Sequence, residues 1–137
     1  KKNRQIDFSY ISEISKECFV PFCVGGGIKD LKIIYKLLSS GVDKVSINTY
    51  ALKDKSLVYK AAKEFGSQCI VSSIDYKCRG TEKDIYIKSG SEKEKVDFFE
   101  HIKYLEDQGA GEILLTCIDR DGTMSGYDKK TLAYENH

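Results

Sequence analysis

Charge of one sign is what this sequence lacks most plainly. Its 137 residues hold 22 Lys and Arg against 21 Asp and Glu. A balance that close sets up no chain-wide field for nucleic acid or a membrane surface. Long apolar runs are lacking too, so neither a membrane span nor a signal peptide is expected. The five cysteines, Cys18, Cys23, Cys69, Cys78 and Cys117, show no C-x-x-C spacing. They read as reduced packing residues of a cytoplasmic protein, with no disulfide and no metal site expected. Histidine is scarce. His101 is expected on the solvent side of a helix, and His137 is terminal. No Ser/His/Asp or Cys/His arrangement is evident, and no cofactor is expected. The chain opens at Lys1, its single methionine is Met124, and it closes on TLAYENH. The expectation is a piece of a longer polypeptide.

What is present is a strand followed by a helix, several times over. Phe8–Cys18 reads as a helix with Phe8, Ile11 and Ile14 on one side. Val20–Val24 reads as a strand that runs into Gly25–Gly27. Asp30 caps a helix that turns Leu31, Ile34, Tyr35 and Leu38 inward and stops at Gly41. A strand follows at Lys44–Ile47, ending at Asn48 and Thr49. Asp54 opens a helix carrying Leu57, Val58, Ala61, Ala62 and Phe65, closed by Gly66. Cys69–Ile74 is the third strand and ends at Asp75. The alternating Ile85, Tyr86 and Ile87 mark an inserted hairpin. Ser91 and Glu94 form a capping-box pattern for a helix running to Gln108 and Gly109. Glu112–Thr116 is the fourth strand, entering CIDRDGT.

Strands alternating with helices specify a parallel sheet, either open and doubly wound or part of a (β/α)8 barrel. Alternation within the strands favours the barrel. Lys44, Ser46 and Asn48 share a face opposite Val45 and Ile47. Ser73 and Asp75 oppose Ile70 and Ile74, while Glu112, Leu114 and Thr116 oppose Ile113 and Leu115. A sheet buried between two helix layers is apolar on both faces. One partly polar face fits a polar lumen under a ring of helices. A full barrel takes about 250 residues, so four units make about half of one. The whole chain, 1–137, is expected to form a single partial-barrel domain.

The unusual residues gather at the ends of strands, where parallel α/β folds keep their chemistry. Gly25–Gly27, with Asn48 and Thr49, present main-chain N–H groups, an amide and a hydroxyl. Such a set holds phosphate, and a bare turn has about even odds against it. Asp75 suits general acid–base work; the plain alternative is a helix cap or an ion pair with Lys77. DRDGTMSGYD invites a calcium loop. That fails, because its first ligand position falls on Cys117 and a strand precedes it. A second phosphate cradle at Gly122, or an Asx turn, remains. Lys44 and Glu112 begin their strands on the inward face, as an ion pair or as part of a charged ring.

VGGGI (24–28), DKVSINT (43–49), FGSQCIVSSID (65–75) and GAGEILLTCIDRDGTMSGYD (109–128) together resemble the cyclase subunit of imidazole glycerol phosphate synthase. The resemblance spans nearly the whole chain in order and spacing. It implies a (β/α)8 TIM barrel, of which this chain covers about strands 3–6. It also implies an enzyme that takes ammonia from a glutaminase subunit and adds it to a formimino-aminoimidazole carboxamide ribonucleotide. The products would be imidazole glycerol phosphate, for histidine, and aminoimidazole carboxamide ribonucleotide. By the same resemblance Asp75 is one of two catalytic aspartates. Gly27, Asn48 and Thr49 form one phosphate site, Asp121 and Gly122 part of the other, and Thr116 lies beside the substrate. Lys44 and Glu112 are half of a charged gate for ammonia. The other aspartate falls outside the chain, so the piece alone is expected to be inactive. ECFVPFCVGGGI and DRDGTM are closer to a paralogue thought to deliver ammonia for amidino sugars of surface polysaccharide. YIKSGSEKEK lacks the Thr-Gly pair usual in the histidine enzymes. A non-catalytic glutaminase-binding module is the third reading, and retention of Asp75 and both phosphate-type loops speaks against it.

Overall fold

The structure, a computed structural model, describes residues 6–119. Helix α1, Phe8–Glu17, begins where the Asp7 carboxylate accepts from the Tyr10 N–H. Strand β1, Cys23–Gly25, is shorter than the run from Val20 implies. Phe19 is 97% exposed and Val20 is exposed as well, because pairing with the next strand starts only at Cys23, opposite Lys44. Helix α2, Leu31–Ser39, is capped by Asp30, whose carboxylate accepts from the Ile33 N–H. It buries Ile34 and Leu37, while Tyr35, expected inward, is 62% exposed. Strand β2, Lys44–Ile47, runs into a short helix α3, Thr49–Lys53, that the sequence pattern did not announce. Helix α4 is Leu57–Phe65, and Gly66 ends it at φ 93.

The third strand departs most from expectation. β3 runs over Ile70–Arg79 and does not stop at Asp75. Its first part pairs in parallel with β2, from Val45 opposite Ile70 to Ile47 opposite Ser72. Its last part pairs antiparallel with β4, Glu82–Ile87, from Asp75 opposite Tyr86 to Arg79 opposite Glu82. The expected hairpin is therefore an upward extension of a sheet strand. It is finished by β5, Glu92–Lys93, which pairs with β4. β6, Glu112–Cys117, pairs in parallel with β3 over Val71–Tyr76. Ser72 is paired with both β2 and β6, and Asp75 with both β4 and β6. So β2 and β4 share one edge of β3, and β6 holds the other.

Helix α5 is Phe98–Asp107, and it starts later than the Ser91/Glu94 pattern implied. Ser91 and Glu94 belong to the hairpin, where Glu94 N–H donates to the Ile85 carbonyl. Asp97 is the cap, its carboxylate accepting from the Phe99 and Glu100 N–H groups. That phase turns Phe98, His101 and Leu105 inward. His101, expected to face solvent, is only 5% exposed. It stacks on Tyr104 with ring centroids 6.2 Å apart. Burial holds its imidazole below the usual 6.5.

The core lies between the helices and one face of the sheet. Val45, Ile47, Ile70, Ile74 and Tyr76 are buried there with Ile34, Leu37, Val58, Ala61, Phe98 and Leu105. Tyr76 packs on Phe98 at 5.0 Å between ring centroids. Ser72 sits in the same layer, and its Oγ has no hydrogen-bond partner among the described residues.

Candidate functional site

The register lines up strand ends in the order β1, β2, β3, β6. Gly25 lies beside Ser46, Ser46 beside Val71, and Asp75 beside Thr116. Strand alternation then puts Lys44, Ser46, Ser73, Asp75, Glu112, Leu114 and Thr116 on the face turned away from the helices. Of these, Ser46, Ser73, Asp75 and Thr116 are half-buried, and Leu114 is exposed. The polar face read from alternation is formed.

Its upper end holds most of the candidate residues. Gly26 and Gly27 follow β1 at φ 101 and φ 66. A Cβ at Gly27 would meet nothing within 4 Å, so backbone conformation, not crowding, selects glycine there. The turn leaves main-chain groups open to an approaching ligand. Asn48 follows β2 and precedes α3, and its Nδ2 donates to Asp75 Oδ2 at 3.0 Å. Two residues 27 apart in sequence thus meet at the mouth, and the amide orients the carboxylate. Asp75 itself is mid-strand, where β3 passes from parallel to antiparallel pairing. Thr49 opens α3, and its Oγ1 accepts from the Lys88 N–H at 3.3 Å, so the hairpin leans on the start of α3. Thr116 lies next to Asp75 across the β3–β6 ladder. Asp121 and Gly122 lie outside the described residues.

The hairpin adds two residues to the mouth that sequence reasoning did not place there: Lys77, weighed only as an ion-pair partner of Asp75, and Tyr86, read only as part of a hairpin. Tyr86 stands directly across from Asp75, and Lys77 Nζ lies 4.5 Å from the Tyr86 ring centroid. The signal was present in the period-2 alternation of DIYI opposite DYKC. It needed the antiparallel register to be read. Ion pairs stiffen this wall: Lys93 to Asp84 at 2.8 Å, Arg79 to Glu82 at 2.8 Å, and Lys88 to Glu92 at 2.5 Å. The hydrogen bond from Lys93, then Arg79, holds the Asp84 carboxyl below its ordinary value.

The lower end carries charge. Lys44 and Glu112 open β2 and β6, and their side chains join as an ion pair across the start of β3. The hydrogen bond to Glu112 raises the Lys44 ammonium above its usual 10.5. Cys23 lies beside Lys44, and desolvation, then the Glu112 charge, pushes its thiol up. Among the described residues, no three His, Cys, Asp or Glu side chains are grouped to hold a metal ion. No helix among them is long and apolar enough to cross a membrane.

A β/α sheet with a polar face turned from its helices, and with candidate site residues at the strands' C-terminal edge, is part of a (β/α)8 TIM barrel. The chain belongs to the histidine biosynthesis protein family, whose model matches residues 1–135. It is 45% identical over 135 residues to the imidazole glycerol phosphate synthase subunit HisF of Dictyoglomus turgidum, covering 98% of this chain and 54% of that protein. It is 49% identical over 123 residues to the protein of the same name from Dictyoglomus thermophilum, covering 89% and 49%. It is also 47% identical over 131 residues to the putative imidazole glycerol phosphate synthase subunit hisF2 of Campylobacter jejuni, covering 96% and 52%. The chain spans about half the length of these curated relatives.

Proposed function

We propose that a polypeptide of the relatives' length, carrying this segment, is a cytoplasmic cyclase. It would convert a formimino-aminoimidazole carboxamide ribonucleotide and ammonia into imidazole glycerol phosphate and aminoimidazole carboxamide ribonucleotide. The observation that carries this reading is the Asn48–Asp75 hydrogen bond at the sheet's upper end. Adding ammonia, closing a ring and releasing an amine all require protons to move on and off nitrogen. A carboxylate fixed by an amide, facing an open mouth, is suited to that task. Gly27, Asn48 and Thr49 would receive one phosphate, and Asp121 and Gly122 would contribute to the other. Thr116, beside Asp75, would contact the substrate between them. In this reading the 137 residues are part of one barrel domain.

Lys44 and Glu112 would act at the opposite end, where ammonia from a glutaminase subunit enters. Opening the pair moves two charged side chains near the surface, where such pairs are weakly held. The polar face between the two ends would then guide ammonia upward.

A second reading keeps the ammonia transfer but assigns it to amidino-sugar synthesis. It is favoured by residues 86–95, YIKSGSEKEK, which lack the Thr-Gly pair of the histidine enzymes. One assay separates the two. The complete polypeptide is given the formimino ribonucleotide with ammonium salt, beside its Asp75→Asn variant. The expected result is turnover that falls by about 10²-fold or more in the variant. No turnover from a folded protein that still stimulates a glutaminase would sink the histidine-pathway reading in favour of ammonia delivery elsewhere.

A further inference from the structure

The reading of all five cysteines as mere packing residues leaves one arrangement unused. Cys78 lies in the hairpin-forming half of β3, and Cys117 is the last residue of β6. Tyr76 is the register partner of Cys117, so Cys78 is its diagonal neighbour on the same face. Their Sγ atoms are 3.8 Å apart, and both side chains are half-buried at the border of the core. Two thiols in contact on adjacent strands need little movement to join, provided their Cβ atoms converge as a disulfide requires. The surroundings tie the pair to the mouth. The Cys78 N–H donates to Asp119 Oδ2 at 3.1 Å, two residues past Cys117. Gly90, in the β4–β5 turn, packs so close to Ile118 that a Cβ there would lie 3.0 Å from Ile118 Cδ1.

We infer that Cys78 and Cys117 are a modification site, an oxidisable thiol pair that closes to a reversible disulfide with hydrogen peroxide as oxidant. One thiol attacks a peroxide oxygen, forming a sulfenic acid and releasing water. The second thiol attacks that sulfur, the S–S bond forms, and the remaining oxygen leaves as a second water. Two thiols are oxidised and one peroxide is reduced to two waters. The bond staples the hairpin stem to the end of β6, four residues before Asp121 in sequence. On the reading proposed above, Asp121 and Gly122 help to hold a phosphate, so oxidation would lower turnover.

The test is thiol mapping of the complete polypeptide treated with stoichiometric hydrogen peroxide. Remaining thiols are blocked with N-ethylmaleimide, and the protein is digested without reductant for mass spectrometry. The expected product is one peptide pair joining Cys78 to Cys117, lost on adding dithiothreitol, with Cys18, Cys23 and Cys69 still alkylated. Cys78→Ser and Cys117→Ser should each abolish the linkage and leave a sulfenic acid that dimedone traps on the remaining cysteine. Alkylation of both Cys78 and Cys117 after oxidation, or their separate over-oxidation, overturns the inference, and this outcome needs no variant to fold. The mapping does not depend on the cyclase reading. A cross-link that leaves turnover unchanged would establish the thiol pair and overturn its coupling to the mouth.

Discussion

The two faces of one sheet differ sharply. On the helix side, Val45, Ile47 and Ile70 are fully buried. On the other side, one residue away along the same strands, stand Lys44, Ser46 and Asn48, with Leu114 at 55% exposure. The first face supplies folding energy through burial. The second contributes little to the core and carries Asp75, Thr116 and the Lys44–Glu112 pair. Strand parity thus separates the packed face from the polar candidate-site face, and the two can be perturbed independently.

The largest expected effect falls on close packing behind the sheet. A Cβ at Gly111 would run into the Ser67 backbone carbonyl, which cannot swing aside. Gly111→Ala should therefore cost as much as a severe core lesion, about 3 kcal/mol or more, read as a lower urea midpoint. Ile47→Ala comes next, at about 2–4 kcal/mol, because its side chain is fully enclosed. Leu114→Ala is the paired control on the open face and should cost under about 1 kcal/mol. Equal losses for Ile47→Ala and Leu114→Ala would erase the contrast between faces.

Ser72→Ala should go the other way. Its hydroxyl is buried without a partner among the described residues, so removing it should be neutral or stabilise by about 1 kcal/mol. Acidification tests the helix side by a different route. The folded protein keeps His101 neutral, and unfolded chains take up the proton first as pH falls. Stability is therefore full above about 6.5 and declines below it, until the folded imidazole protonates as well. His101→Leu should flatten that part of the curve in a set of melts from pH 7.5 to 5. The smallest effect belongs to the open face. Lys44→Met should leave the urea midpoint nearly unchanged, since the ion pair with Glu112 is solvent-exposed. What that pair adds is present at neutral pH and disappears only above the lysine's ordinary 10.5. A large loss would mean that the open face also holds the fold together.

Local signals were read well and tertiary ones poorly. Asp30 announced α2 because a cap is settled within four residues. Ser91/Glu94 and Asp97/Glu100 are both capping-box patterns, and the sequence offers no local reason to choose. The β4–β5 pairing decides, by claiming Glu94 for the hairpin. Once α5 is phased from Asp97, the 98, 101, 105 spacing carries His101 into the core. Val20 looked like strand, yet a strand exists only where a partner lies opposite, and β2 begins at Lys44. On the candidate site, parity was legible, because alternation reveals the polar face. Asp75 was placed at a strand end, since nothing in DYKCR foretells that β3 continues into a hairpin. The meeting of Asn48 and Asp75 depends on sheet register, which no single stretch of sequence encodes.

The double pairing of β3 bears on how the molecule comes apart. At Val71–Ser72 and again at Asp75–Tyr76 this strand is paired on both edges, and its two halves serve different partners. Its amides there should be the slowest to exchange with deuterium. More pointedly, the hairpin has no strand of its own to stand on. Fraying at Tyr76 withdraws support from β4 and β6 together, so the mouth's wall and the sheet beneath it should open as a single cooperative unit.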